Sequence, residues 1–484
     1  MVKKNFLNIA IAIIIIGFLF RVYNLNTEGY WWDEMLGFWT ANPNISYLET
    51  YNRHITNDYT SIAYHLLLKF YYLIFGYSPE AGRYFTMLLG VTCVPLMGVL
   101  MNHLFNNNLS TLSAMFLTSF NVFLIEYSQE NRVYILIFLI SIINLIYFFR
   151  IISSKGNLNY NYIFYLFFSV IGLILTPFFV VIIGAQIFYT ILQTFIFKEK
   201  NKIFILSILS IVIYGSLFFN NLNSIISSSS MIDKGIGYST FEPNIRFLKD
   251  LFFPKFFGSK IMGLIFLITF IYAVFSNKKN IFKKNSIYSF LLIVIIFSYI
   301  TPIIITYFLH SNFSARYIIF ILVPIIIIIS SFISDNKTPI KKNYFLILII
   351  SSTIINSIFE ISNKDLLKPG FNNIIEIINK SDIKNFHIYS NYKTIPDKKI
   401  KIEEKLDKNT IEIVTNYIKF NKRVLKYNLT IVKDVLSISG KKTWVICYQP
   451  SRFYRCKMEK LDKINFEVLD KKITKSITAN LIEY

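Results

Sequence analysis

Cysteine is scarce, with three in 484 residues. Cys93 falls in an apolar run, and only Cys447 and Cys456 lie close together, so a disulfide-stapled scaffold is excluded. In an oxidising compartment that last pair could bond; two free thiols are the alternative. Histidine is equally thin, five in all, and His54, His65 and His310 show no His-x-x-x-His or similar ligand spacing. No small-x-small cleavage site follows the run from Phe6 to Phe20, which continues directly into Arg21-Val-Tyr, so the spacing predicts a retained first helix. The chain has no internal repeat, and with it lacks the inverted-repeat signature of many secondary transporters. Acids are few, 28 against 50 Lys and Arg. No basic stripe interleaved with base-stacking aromatics accompanies that excess, which argues against nucleic acid as a partner.

What is present is apolar. The chain is 54% hydrophobic and 17% aromatic, with mean hydropathy +0.49, a composition foreign to soluble globular domains. About eleven runs, each long enough for a bilayer core of ~30 Å at ~1.5 Å per residue, fall near 6–24, 82–103, 109–125, 133–151, 160–176, 177–197, 203–219, 261–276, 287–308, 316–334 and 344–360. The loops between alternate runs hold most of the paired lysines, from Lys3-Lys4 to Lys341-Lys342, against Glu199 and Asp335 as their only acids. The positive-inside rule then puts the N-terminus in the cytosol and, from an odd span count, the C-terminus outside. The expected architecture is an α-helical polytopic membrane domain, 1–360, with external loops 25–81 and 220–260. A small mixed α/β extracytoplasmic domain, 361–484, follows it. Within the first loop, the segment Ser61 to Phe75 reads as helix lying in the membrane interface among lipid headgroups. The second loop, with Ser227 to Ser230, Gly235 and Gly237, reads as a lid.

This topology gathers the chemically distinctive residues on the non-cytosolic face. Tyr30-Trp31-Trp32-Asp33-Glu34 offers adjacent carboxylates beside aromatics, suited to a general base working next to a lipid-borne substrate; a solvated acidic pair under an aromatic belt is the plainer alternative. Glu126-Tyr-Ser-Gln-Glu130-Asn-Arg132-Val-Tyr134 packs two acids and an arginine at the mouth of apolar helices, where they must pair or bind something. An arginine at a helix start is unfavourable for the dipole, so Arg132 reads as an anion ligand or as half of a Glu–Arg clamp. Arg83 and Arg316 each open a span on the face that lacks basic bias, and a phosphate suits their bidentate donors. Asp33, Glu34 or Asp58 could hold a divalent ion together with substrate phosphate.

The order of these pieces resembles a known family. Trp-Asp33-Glu34, then Tyr64-His65-Leu-Leu-Leu-Lys with Phe75-Gly76 and Arg83, then Tyr127-Ser-Gln-Glu-Asn-Arg132-Val-Tyr134, and last Ala315-Arg316-Tyr317 with Pro324, are similar to the GT-C integral-membrane glycosyltransferases. The nearest branch is the family 39 one, with protein O-mannosyltransferases and the lipid A aminoarabinose transferase. The resemblance spans roughly residues 5–330. It implies inverting transfer of one sugar from a polyprenyl-phosphate carrier to a lipid, glycan or protein acceptor on the outer face. It also implies Asp33 as base or as a contact to acceptor or metal, and Arg83 and Arg132 as donor-phosphate ligands; the residue reading adds Glu34 as a second catalytic carboxylate and Arg316 as a third phosphate ligand. Asp58, His65, Glu130 and Tyr134 would complete the substrate site. The chain departs from the pattern at Asn57-Asp58-Tyr59-Thr60-Ser61, where relatives carry His-Pro-Pro, and at Thr176-Pro177, where relatives carry a histidine.

Overall fold

In a computed structural model of the chain, the described residues are 2–57, 61–153, 160–197, 203–232, 253–281, 283, 286–309, 314–334, 339–362, 370–389, 391–394, 405–406, 408–421, 424, 426, 430–432, 442–448, 454–455, 467–474 and 477–483. Asp58, His310, Cys456 and residues 233–252 of the second long loop lie outside them. The chain divides into two compact units. One holds Met1–Tyr23, Tyr59–Tyr64 and Thr86–Lys364; the other holds Asn24–Asp58, His65–Phe85 and Asp365–Tyr484. One division falls between Lys364 and Asp365, and most of the first long loop falls with the C-terminal segment rather than with the helices that flank it.

The first unit is helical. Every one of the eleven apolar runs is occupied by helix. Among the described residues, five helices are long and apolar enough to cross a membrane: Asn5–Val22, Pro79–Phe105, Tyr134–Ser153, Pro177–Ile196 and Ala315–Ile333. A bent pair, Asn108–Phe120 with Val122–Ser128, makes a sixth, and shorter apolar helices occupy the remaining runs. Peripheral helices turn large apolar side chains outward, among them Leu7, Ile11, Ile15 and Leu19 at helical spacing, Phe195 and Ile261. In water such surface would be a liability; against lipid it costs nothing. The chain is thus an integral membrane protein by its helices. At the centre, Leu322–Ser334 packs on Asn108–Phe120 and on Lys260–Ser276, and Ile325 through Ile329 have essentially no exposed surface.

Two polar arrangements register these helices. Asn144 Nδ2 donates to Ser169 Oγ at 2.9 Å, Gln186 Nε2 to Asn144 Oδ1 at 2.7 Å, and Tyr165 OH to Gln186 Oε1 at 2.7 Å, with Ser207 Oγ also 2.7 Å from that phenol. Four helices are joined by a buried chain of hydrogen bonds, each worth about 0.6 kcal/mol in a membrane setting. The second is the 56° bend at Asn121. A break in lipid frees backbone carbonyls that must find donors. Arg21 Nη2 and Nη1 serve Thr118 O at 3.0 Å and Ser119 O at 2.9 Å, and Ser357 Oγ serves Phe120 O at 2.6 Å. Asn121 caps the next helix by accepting from Leu124 N at 2.9 Å.

The second unit combines short helices with β-structure. Strands β1 (Asn385–Tyr389), β4 (Thr430–Val432), β5 (Thr443–Tyr448), β7 (Glu467–Thr474) and β8 (Ile477–Glu483) form one sheet in the order β4-β1-β5-β8-β7. Its β1 pairings are parallel and the β5-β8-β7 pairings antiparallel. A smaller sheet joins β3 (Lys405–Leu406), β2 (Asn391–Thr394) and β6 (Tyr454–Arg455). The mixed α/β expectation for the tail is met. Helices Phe371–Lys380 and Lys408–Lys419 complete the segment, and the latter packs on the first-loop helix Trp32–Thr40.

Candidate active site

The adjacent carboxylates of the first loop have different fates because they open a helix. Trp31 stands at the N-cap of Trp32–Thr40 with extended backbone, φ −88° and ψ 174°. Glu34, one turn in, points inward and is fully buried, while Asp33 is only half-buried. Arg83 meets Glu34 side-on, with Nε to Oε1 at 3.0 Å and Nη2 to Oε2 at 2.9 Å. Its other donors go to Leu25 O at 3.1 Å, Glu28 O at 2.8 Å and Gly29 O at 3.1 Å. The guanidinium therefore has a protein acceptor for each of its five N–H groups and lies 4.8 Å over the Tyr30 ring. The phosphate-ligand role expected for Arg83, and a nucleophilic or base role for Glu34, require breaking this buried bidentate pair. Sequence reading missed the pairing because an arginine opening a span looks the same whether it faces a ligand or folds back on its own loop.

Around this pair the loop is closed by aromatic contacts. Tyr30 OH donates to Pro79 O, Tyr30 stacks on Tyr417 at 5.2 Å and 15°, and Phe38 stacks on Tyr77 at 4.1 Å. A cavity of about 20 Å³, lined by Glu28, Glu80, Arg83, Asn372, Tyr417 and Asn421 among others, has room for roughly one water and none for a sugar. His65 is fully buried with its ring 5.5 Å from that of buried His54, so it presents no surface to a substrate. Beside it, buried Lys69 donates to Asn42 O at 2.9 Å, Ile45 O at 2.6 Å and Thr50 Oγ1 at 3.0 Å. Burial, with Arg53 nearby, lowers this ammonium below its ordinary pKa. Lys69 and Arg53 drew no separate role from the sequence.

In the membrane unit, the Tyr127 to Tyr134 turn divides into anchors and candidates. Gln129 Nε2 caps the carbonyl end of the first helix, reaching Arg21 O at 3.1 Å and Tyr23 O at 2.8 Å. Ser128 Oγ accepts from Arg21 Nε at 3.2 Å, and Asn131 Oδ1 accepts from Tyr64 OH at 2.8 Å. The turn itself is tight, with Arg132 N donating to Glu130 O at 2.7 Å. Glu130, Arg132 and Tyr134 are buried. Arg316 is half-buried and lies 5.2 Å over the Tyr134 ring and 5.5 Å over that of Tyr317. Tyr134 also meets Tyr127 edge-on at 5.3 Å, and Phe178, next to the Thr176-Pro177 departure, stacks on Tyr317 at 5.4 Å. Residues nearly two hundred positions apart, Tyr134 and Arg316, thus form one aromatic and cationic cluster.

Among the described residues, Asp33 and Arg316 are the candidates that keep accessible surface. A divalent ion finds no ligand set here: among the described residues no group of three His, Cys, Asp or Glu side chains could hold one, and Glu34 is committed to Arg83. Asp58 lies outside the described residues.

No protein-family model matches the chain, and no curated protein matches it by sequence. Solved structures do. ArnT from Cupriavidus metallidurans in its apo state matches at TM-score 0.56 and 8% identity, over 99% of this chain and 98% of that one. The same ArnT bound to undecaprenyl phosphate matches at TM-score 0.50, over 99% and 97%. The oligosaccharyltransferase of Archaeoglobus fulgidus, in complex with zinc and sulfate, matches at TM-score 0.47 and 11% identity over 77% of this chain; the chain spans only about 55% of its length. Covered end to end at 8% identity, the chain has the fold of ArnT: a polytopic bundle of apolar helices followed by a small mixed C-terminal sheet.

Proposed function

We propose that the chain transfers a single sugar from a polyprenyl-phosphate carrier to an acceptor on the extracytoplasmic face, with inversion at the anomeric carbon. The observation that carries this reading is the end-to-end likeness to ArnT, a protein solved with undecaprenyl phosphate. The residue pattern of the Asp33 and Arg132 segments points the same way. The distribution of lysines between alternate loops supports a cytosolic N-terminus and an external C-terminal segment.

In the reaction, an acceptor hydroxyl attacks the anomeric carbon, the bond from that carbon to the phosphate oxygen breaks, and polyprenyl phosphate leaves with the bonding pair. Asp33, half-buried at the first turn of its helix, takes the hydroxyl proton, a role that contributes about 10²–10⁴ in rate. Arg316, over Tyr134 and Tyr317, answers the charge that grows on the departing phosphate. One lost contact of that kind costs ~3 kcal/mol, or ~10²-fold. No second carboxylic acid is needed, because a phosphate leaves without protonation, unlike the alcohol leaving group of a glycosidase. Glu34 and Arg83 hold the Asp33 helix rather than touch the substrate.

The test is incubation of the purified protein in lipid nanodiscs with labelled polyprenyl-phosphate hexoses and pentoses and a cell-envelope extract. Movement of label from the lipid donor into a new product supports the proposal; a donor left intact across the panel overturns it.

A further inference from the structure

We infer that the Lys408–Lys419 helix of the C-terminal segment, with Phe420 just after it, is a positioning element for the Asp33 turn. The inference rests on the glycosyltransferase reading and gives the segment a place in it. All the groups involved belong to the second unit. Glu412, Asn416, Tyr417 and Phe420 recur at helical spacing, which brings them to one side of the helix. Each meets the loop at a different point.

Tyr417 holds the start of the Trp32–Thr40 helix. Its hydroxyl accepts from Tyr30 N at 3.1 Å, one residue before the Trp31 cap, and its ring stacks on Tyr30. Just upstream, Asn372 Nδ2 donates to Thr27 O at 3.0 Å. The helix end is held separately. Glu412 Oε1 accepts from Trp39 Nε1 at 2.9 Å and from Arg53 Nη2 at 3.4 Å. Asn416 Nδ2 donates to Tyr77 OH at 2.7 Å, and that phenol donates to Phe38 O at 3.0 Å. Phe420 packs edge-on against Tyr77 at 4.7 Å.

These contacts surround the Glu34–Arg83 pair rather than replace it. The pair fixes the middle of the turn, and Tyr417 and Glu412 fix its two ends. Asp33 itself makes none of the contacts described for this face; its position follows from backbone held on both sides. A carboxylate that must meet a hydroxyl at hydrogen-bond distance is sensitive to such support, since small misplacements cost large factors in rate. Without this face Tyr30 N would lose a buried partner, and Trp39 Nε1 and the Tyr77 phenol would each lose a partly buried hydrogen bond.

Tyr417→Phe, Glu412→Ala and Asn416→Ala test the inference in the full chain in nanodiscs, with exposed Lys471→Gln as control. Two readouts are taken: amide hydrogen exchange over residues 27–40, and kcat and KM for labelled polyprenyl-phosphate sugar. The expected result is exchange about tenfold faster in that segment, unchanged in Tyr134–Ser153, with kcat down about tenfold and donor KM within about twofold. Tyr417→Phe keeps the ring stack and serves where an alanine variant fails to fold. Unchanged exchange at 27–40, or faster exchange with wild-type kcat, overturns the inference. A wild-type protein that transfers no sugar overturns the glycosyltransferase reading and this inference with it, and is recognised from the wild-type reaction alone.

Discussion

Removing either member of the Glu34–Arg83 pair should unfold the second unit at markedly lower temperature. Both side chains are buried and the contact is bidentate, at 3.0 and 2.9 Å. Glu34→Ala leaves a buried guanidinium facing three neutral carbonyls, those of Leu25, Glu28 and Gly29. Arg83→Met leaves a buried carboxylate without its guanidinium partner, and its bond from Trp31 N is long, at 3.4 Å. Stranding one buried charge costs about 3–5 kcal/mol, far more than the 0–1 kcal/mol of a surface pair. At about 2–4 °C per kcal/mol for a unit of this size, each single variant should melt roughly 10 °C lower. The double variant Glu34→Ala with Arg83→Met strands no charge and should lose well under the sum of the singles. The assay is thermal melting by intrinsic fluorescence in detergent, with Asp33→Asn as a companion that should melt near wild type. Singles that cost under about 1 kcal/mol, or a strictly additive double, would refute the pairing as the element that fixes this loop.

Other expectations follow from the same geometry. Arg316→Ala should lower kcat/KM for the lipid-linked donor about 10²-fold while leaving the melting temperature in place; a change under about threefold, on the same principle, would remove Arg316 from the phosphate site. Gln129→Ala uncaps the end of the first helix at Arg21 O and Tyr23 O and should destabilise the membrane unit by about 1–3 kcal/mol, read as a lower melting temperature that an unchanged value would contradict. Burial, chiefly, pushes the Tyr417 phenol up to about 12 from 10. Its folded value is the higher one, so its contribution is whole below pH 10 and is lost as pH rises toward 12, a matter of about 3 kcal/mol. Melting followed from pH 9 to 12 should fall more steeply for wild type than for Tyr417→Phe, and parallel curves would contradict this.

The helices were legible in the sequence because lipid leaves a backbone few choices. A run such as 134–153 must be helical and must be about as long as the bilayer is thick, and all eleven runs became helix on those grounds. The bend at Asn121 was not legible, since apolar residues continue across it from Leu109 to Ile125. It depends on donors from Arg21 and Ser357, far away in sequence. The Tyr127 to Tyr134 motif was recognisable as a unit but not divisible into parts. Only the structure separates Ser128, Gln129 and Asn131, which anchor the turn, from Glu130, Arg132 and Tyr134. Asp33 and Glu34 illustrate the same limit: two adjacent acids look equivalent until a helix start turns one inward to an arginine 49 residues away. The role of the tail could not be read because it lies in contacts such as Tyr30 with Tyr417, which no local pattern announces.

The most direct measurement is sugar transfer by Asp33→Asn beside wild type, using reconstituted protein and a labelled polyprenyl-phosphate sugar. Loss of at least about 10²-fold in kcat, with donor KM and melting temperature held near wild type, is the predicted result. Turnover close to wild type in the variant would contradict the assignment of Asp33 as the base.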